Sequence, residues 1–261
     1  MQERPYRTIR VSAEAGVATL ILNRPERRNA IGPEMVSELL YALEDALAEE
    51  TVRSVVLTGA GSAFCAGGDF GSMSGLAEGE GLASKGDYKD LLLAMWHTTK
   101  PIVARVNGHA MGGGLGLVAA STFAVASFEA RLGTPEINVG LFPFMILAVL
   151  ERVMPRRRLI EMMLSGERLS AEEAAGAGLV NRAVEPGELD SAVKSYTDSV
   201  ASKSPLTVRL GLEALRDTDD LKLSEKLPVL SERLARCLSS EDAREGLTAF
   251  FEKRAPRWTG R

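Results

Sequence analysis

Two segments concentrate glycine directly after runs that read as strands: GAGSAFCAGGDF over 59–70 and NGHAMGGGLG over 107–116. A glycine after a strand lets the backbone bend through positive φ and approach a ligand closely, and a helix that starts there has unpaired amides in its first turn. Each loop could present one backbone donor. Two such donors converging on one carbonyl oxygen form an oxyanion hole, which stabilises charge as it develops there. The plainer alternatives are a tight turn in the first segment and close helix packing against the glycine triplet in the second. Other chemistries find less support. Neither segment carries GxxxxGK[ST], and no clean GxGxxG follows the first strand with an acidic residue about 20 positions later, which disfavours nucleotide phosphate chemistry. No GxSxG elbow occurs, and the only histidines are His97 and His109. His109 reads as a structural hydrogen-bonder, and Cys65, with no evident base beside it, as a small buried residue.

The elements that would position these loops follow from composition and pattern. The chain has 261 residues, 45% hydrophobic and 25% charged, the composition of a globular α/β protein with room for a large core. Thirty-one basic and thirty-five acidic side chains leave a formal charge of −4, so no overall basic field exists to hold nucleic acid or an anionic membrane. An anionic ligand must be met locally. Cys65 and Cys237 form neither a disulfide framework nor a Cys/His cluster, which reads as a reducing compartment with no structural metal. The start, MQERPYRTIR, carries charges where a secretory signal needs an apolar stretch, and Gly, Pro or Arg105 interrupts the longest apolar runs, so the chain reads as cytosolic.

Residues 6–11 and 16–22 predict a hairpin. Met35, Leu39, Leu43 and Leu47 at four-residue spacing after Pro33 predict an amphipathic helix. Short strands are expected at 53–59, 101–106, 122–127 and 179–184, with helices at 87–99 and after the glycine triplet. Beyond Pro143 the pattern turns helical, with a capping box from Ser170 to Glu173. From Pro186 to about 253 nearly everything is amphipathic helix, with breaks at Ser204-Pro205 and near 218–220. The organisation expected is a core over 1–195 and a helical C-terminal region over 196–261.

Taken together, LNRPERRNAI (22–31), SAFCAGGDF (62–70), NGHAMGGGLG (107–116), TPEINVGLFP (134–143) and FFEKRAPRW (250–258) resemble the crotonase superfamily, the enoyl-CoA hydratase/isomerase family, from the first strands to the C-terminal tail. The resemblance implies a β-β-α spiral core of two stacked sheets, a helical C-terminal region used in trimerisation, and a homotrimer or homohexamer. It implies a coenzyme A thioester as ligand and no cofactor beyond that coenzyme A moiety. By position, the oxyanion hole falls on the amides of Gly68 and Gly113, where the thioester oxygen must come within about 3 Å of two N–H groups. Glu136 matches one of two family glutamates that handle protons. A carboxylate beside an apolar acyl pocket can have a raised pKa and trade a proton with carbon.

The chain departs from a two-glutamate hydratase at Gly116, where the second glutamate would stand. Moving a double bond needs one base that takes a proton from C2 and returns it to C4, and one glutamate suffices; hydration is harder with one carboxylate. C–C bond hydrolysis, decarboxylation, or acyl-CoA binding without chemistry stay open. The resemblance further places coenzyme A at Arg28, Ala30, Ala66, Asp69 and Phe70, with Lys253 of the tail meeting its phosphates. Met73, Met111, Leu141, Phe144 and Met145 are candidates for the acyl pocket, each equally readable as plain core.

Overall fold

The computed structural model describes residues 2–69 and 81–261. The chain opens with a hairpin, β1 (Ile9–Glu14) and β2 (Val17–Leu22), closed by Ala15 and Gly16, both at positive φ. Two residues at positive φ give the turn whose twist matches that of the paired strands. The helix α1 (Pro33–Ala48) begins with proline in its first turn and buries Met35, Leu39 and Leu43. It also buries Glu38, whose carboxylate accepts from the backbone N–H groups of Arg7, Thr8 and Ile9 and from the Thr8 hydroxyl, at 2.6–3.1 Å. Those four bonds fasten β1 to α1.

A repeating pattern follows. β3 (Ser54–Gly59) leads to β4 (Ala63–Cys65) and α2 (Tyr88–Trp96). β5 (Ile102–Val106) leads to β6 (His109–Met111) and α3 (Gly113–Ala119). β7 (Phe123–Ser127) leads to β8 (Arg131–Gly133), a 3-10 turn at Pro135–Val139 and α4 (Phe144–Leu150). In each turn of this spiral the first strand enters a large sheet and the second a small one. With β10 (Arg182–Val184) the large sheet runs β1-β2-β3-β5-β7-β10, and with β9 (Arg168–Ser170) the small sheet runs β4-β6-β8-β9. All large-sheet pairs beyond the hairpin are parallel, and β3 is buried at all six positions, as a strand covered on both faces must be. The two stacked sheets and α/β class agree with the expectation from sequence.

The small sheet is the departure from the sequence reading. β4, β6, β8 and β9 have three residues each, too few for alternation to show, and the predicted pattern contained only the large-sheet strands. α5 (Arg156–Ser165) and α6 (Ala171–Gly176) complete the core, the latter under the capping box of Ser170 and Glu173. α7 (Leu189–Ala201) runs unbroken through residue 195 and packs Leu189 and Val193 on Val56, Val103 and Val125 of the large sheet. After Ser204 come α8 (Pro205–Asp217), α9 (Leu223–Leu238) and α10 (Glu241–Glu252); α9 buries no residue. Among the described residues no helix is long and apolar enough to cross a membrane.

Candidate active site

The parallel neighbours β4, β6 and β8 end side by side, so the turns that leave their carboxyl ends, at 66–69, 112–114 and 134–136, meet at one edge of the small sheet. In the first turn Ala66 N–H donates to Arg28 O at 2.9 Å, Ile31 N–H to Gly67 O at 2.8 Å and Asp69 N–H to Ile31 O at 2.8 Å. Ile31 and Gly68 thus form a parallel bridge in which Ile31 supplies both bonds. The N–H of Gly68 itself faces away from Ile31 and has no acceptor among the described residues.

Asn29 braces this turn from behind. Its backbone adopts φ +58, its amide donates to the carbonyls of Ala60, Ala63 and Phe64, and its oxygen accepts from Arg24 N–H. Sequence reasoning passed over Asn29; the available signal was an amide residue that tolerates left-handed backbone, standing just before a strand-like bridge. Asp69 is buried, and its carboxylate pairs with Arg24 at 3.0 Å and Arg27 at 3.3 Å, which anchors the turn.

The second turn lies against the first. A Cβ on Gly67 would stand 3.1 Å from Met111 O and 3.7 Å from Gly113 N. Gly112 N–H donates to Gly133 O at 3.0 Å, tying the second turn to the third. Gly113 opens α3, so its N–H has no partner within the helix, and none elsewhere among the described residues. Gly68 and Gly113 therefore bring to adjoining turns two amides that are unpaired among the described residues.

Glu136 sits in the third turn, on the 3-10 segment. Gly112 adopts φ +48 and ψ −120, and a Cβ there would overlap Glu136 Oε1, so glycine is required both by conformation and by the carboxylate beside it. Glu136 Oε2 is buried without a hydrogen-bond partner among the described residues. Burial raises the Glu136 carboxyl above the ordinary carboxylate range. A buried carboxylate oxygen with no partner is energetically unfavourable, and such groups concentrate where chemistry uses them.

Tyr88, the first residue of α2, also reaches this edge, a second side chain the sequence reading did not single out. Its hydroxyl donates to Gly113 O at 2.5 Å. A Cβ on Gly116 would overlap both Tyr88 Oη and Ile146 Cγ2. Burial chiefly, with added repulsion from Cys65 and Glu136, pushes the Tyr88 phenol well above its usual range, so the hydroxyl is a donor and no base.

The remaining predicted residues divide. Met111 is buried beneath the turns, whereas Leu141, Phe144 and Met145, just beyond Glu136, are 46%, 73% and 49% exposed and so are not core. Phe70 and Met73 lie outside the described residues. Arg28 is exposed beside Ala30 and Ala66 at the first turn, with φ +51. Lys253 ends α10 in a left-handed conformation, exposed, and no hydrogen bond or ion pair among the described residues joins it to the glycine turns. Cys65 is fully buried with its thiol pushed up to about 12, and His109 Nδ1 accepts from Arg131 N–H at 3.1 Å; both are structural, as the sequence suggested.

Comparison with known proteins bears on what such a site does. The family model described as Enoyl-CoA hydratase/isomerase matches residues 12–261. The chain is 36% identical over 249 residues to the (E)-benzylidenesuccinyl-CoA hydratase of Thauera aromatica, covering 94% of this chain and 96% of that protein. It is 32% identical over 245 residues to the short-chain-enoyl-CoA hydratase of Clostridium acetobutylicum, covering 92% and 93%. A crystal structure of an enoyl-CoA hydratase from Bacillus anthracis superposes with a TM-score of 0.90 at 31% identity, covering 98% of this chain and 100% of the other.

Proposed function

We propose that this chain, which belongs to the enoyl-CoA hydratase/isomerase family, is an acyl-CoA enzyme that holds a thioester oxygen on the amides of Gly68 and Gly113 and shifts a double bond with Glu136. The observation that carries this reading is the buried Oε2 of Glu136, beside two turns whose Gly68 and Gly113 amides, like that oxygen, have no hydrogen-bond partner among the described residues. Polarisation of the thioester carbonyl acidifies C2 of a 3-enoyl chain. The Glu136 carboxylate takes a proton from C2, and the C–H electron pair moves into the enolate held by the two amides. The enolate then returns its electrons to form the C2=C3 bond while the C3=C4 pair takes the proton back from Glu136 at C4. Charge and atoms balance with one carboxylate.

Hydration of a 2-enoyl thioester is the second reading, favoured by the names of the relatives. It requires one group to take a proton from water and one to deliver a proton to C2. Arg28, Ala30 and Ala66 flank the first turn, where the coenzyme A chain would lie, and Leu141, Phe144 and Met145 offer exposed apolar surface to the acyl group. The C-terminal helices expose Leu215, Leu223, Leu227, Leu234, Phe250 and Phe251, apolar surface of the kind that self-association covers and that supports a homotrimer or homohexamer. Such an assembly would carry Lys253 to a neighbouring site's coenzyme A phosphates. Purified protein mixed separately with a 3-enoyl-CoA and a 2-trans-enoyl-CoA gives the test. A rise in conjugated-thioester absorbance from the first substrate is expected, and no change with either, while other CoA thioesters react, would sink both readings.

A further inference from the structure

We propose that a cavity at the amino ends of the large-sheet strands is a binding site for an organic phosphate, whose phosphate group Arg53, Lys100 and Arg209 hold while its apolar body lies against Leu47, Val52 and Leu206. The cavity measures about 370 Å3, within the roughly 300–1,000 Å3 of ordinary small-molecule pockets. It opens between the carboxyl end of α1, the residues that lead into β3 and β5, the start of α8 and the chain at 259–261. The glycine turns lie beyond the opposite ends of β3 and β5, and the six residues of β3 alone span roughly 20 Å. The inference therefore stands apart from the Glu136 reading.

Arg53, Lys100 and Arg209 are each half-buried in this wall, and cations so placed are ordinarily paired with acids. None of the three forms an ion pair among the described residues, and Arg209 makes no hydrogen bond there either. Arg53 uses one of its five N–H donors on Lys203 O at 2.5 Å. Lys100 Nζ donates to Ala46 O at 2.9 Å and Glu49 O at 2.6 Å, which caps the negative end of α1 and leaves one N–H over. Burial lowers the pKa of both Arg53 and Lys100, as it does for cations that have lost water without gaining an ion-pair partner. Nearby acids do not fill the need. Glu49 and Glu50 attract Lys100 only at longer range, and Glu50 is exposed at the rim. Asp242 attracts Arg53 from a distance, but its carboxylate already accepts from the Ser204 hydroxyl and from the N–H groups of Thr259 and Gly260. α8 begins in the same wall at Pro205, which adds the positive end of a 13-residue helix. A phosphate dianion can accept from two guanidinium groups and an ammonium together, whereas a monocarboxylate would leave positive charge over.

Isothermal titration calorimetry of the full chain with phenyl phosphate, inorganic phosphate and benzoate tests the site. One phenyl phosphate per chain is expected, bound about tenfold more tightly than either of the others, because it alone joins a dianion to an apolar ring. Arg209→Gln should weaken that binding about tenfold or more. Arg53→Gln, whose amide can still reach Lys203 O, is the second variant and should do the same. Lys253→Gln, which alters the tail lysine expected at coenzyme A phosphates, should leave the affinity within about twofold. Arg209 has no partner to lose among the described residues, so without ligand Arg209→Gln should melt within about 2 °C of wild type. The rise in Tm that phenyl phosphate gives wild type should shrink in that variant. Absence of phenyl phosphate binding to wild type, an affinity unchanged in both arginine variants, equal binding of benzoate, or a loss confined to Lys253→Gln each overturns the proposal.

Discussion

The corner around Glu38 and the turn around Glu136 each bury a carboxylate, and they treat it in opposite ways. At the corner of β1 and α1, Glu38 is fully buried and accepts from three backbone N–H groups and one hydroxyl. At the edge of the small sheet, Glu136 Oε2 is equally hidden and accepts from nothing among the described residues. The first arrangement makes a carboxylate part of the framework, since its lone pairs are occupied and its donors are satisfied. The second leaves lone pairs unoccupied and raises the energy of the ionised form, the condition that the proposed proton transfer requires. Burial alone therefore does not separate the two carboxylates; hydrogen-bond occupancy does, and on the proposed reading it separates a framework group from a reacting one.

The sharpest way to break the contrast is Glu136→Gln, expected to lower kcat on a 3-enoyl-CoA by about 10²–10⁴-fold. The melting temperature should stay the same or rise, because no hydrogen bond to Oε2 is lost; unchanged turnover in a spectrophotometric assay would remove Glu136 from the chemistry. Glu38→Ala should do the reverse. Leaving three amides and a hydroxyl unpaired in the interior removes about 3–5 kcal/mol of stability and lowers Tm by about 10 °C. Calorimetry measures the loss, and activity per folded molecule at low temperature should stay within about twofold of wild type on a framework role.

The smallest effect concerns pH. Because Glu136 must be ionised to take a proton and burial raises its pKa, kcat/KM should fall with acidification at a higher pH than an exposed glutamate would give. The stability effect has the opposite sense. The native state holds the Glu136 proton more tightly than the unfolded chain, so this stabilisation is complete below the unfolded value and is lost as pH rises through the folded value. Glu136→Gln should therefore gain stability relative to wild type across that interval, which urea titrations at several pH values resolve.

Much of the large sheet was legible because its strands are apolar runs of five or six residues bounded by Gly, Pro or charge, and because Ser170 with Glu173 and Pro33 mark helix starts by known chemistry. The small sheet was not. Three-residue strands carry no period, and what aligns β4, β6 and β8 is their parallel pairing with one another across long sequence separations, a tertiary effect. At the site, glycine and Glu136 motifs were readable as motifs. Asn29 and Tyr88 were not, because their partners are carbonyls and a bare Cα at positions 60–64, 113 and 116, which no local pattern announces.

The glycine triplet also sorts its own mutations. A Cβ at Gly112 overlaps Glu136 Oε1, and at Gly114 it would stand 2.6 Å from both Cβ and O of Cys65. A Cβ at Gly113 would only touch Ile31 Cδ1 at 3.5 Å and Tyr88 at 3.6 Å, which is ordinary contact. Alanine lies one nucleotide change from every glycine codon, so all three positions are struck equally often, but the fold purges the change at 112 and 114 and is indifferent to it at 113. On the proposed reading, drift at that middle position is held back by the thioester oxygen alone, and its frequency in a lineage is a gauge of whether selection still acts on the chemistry.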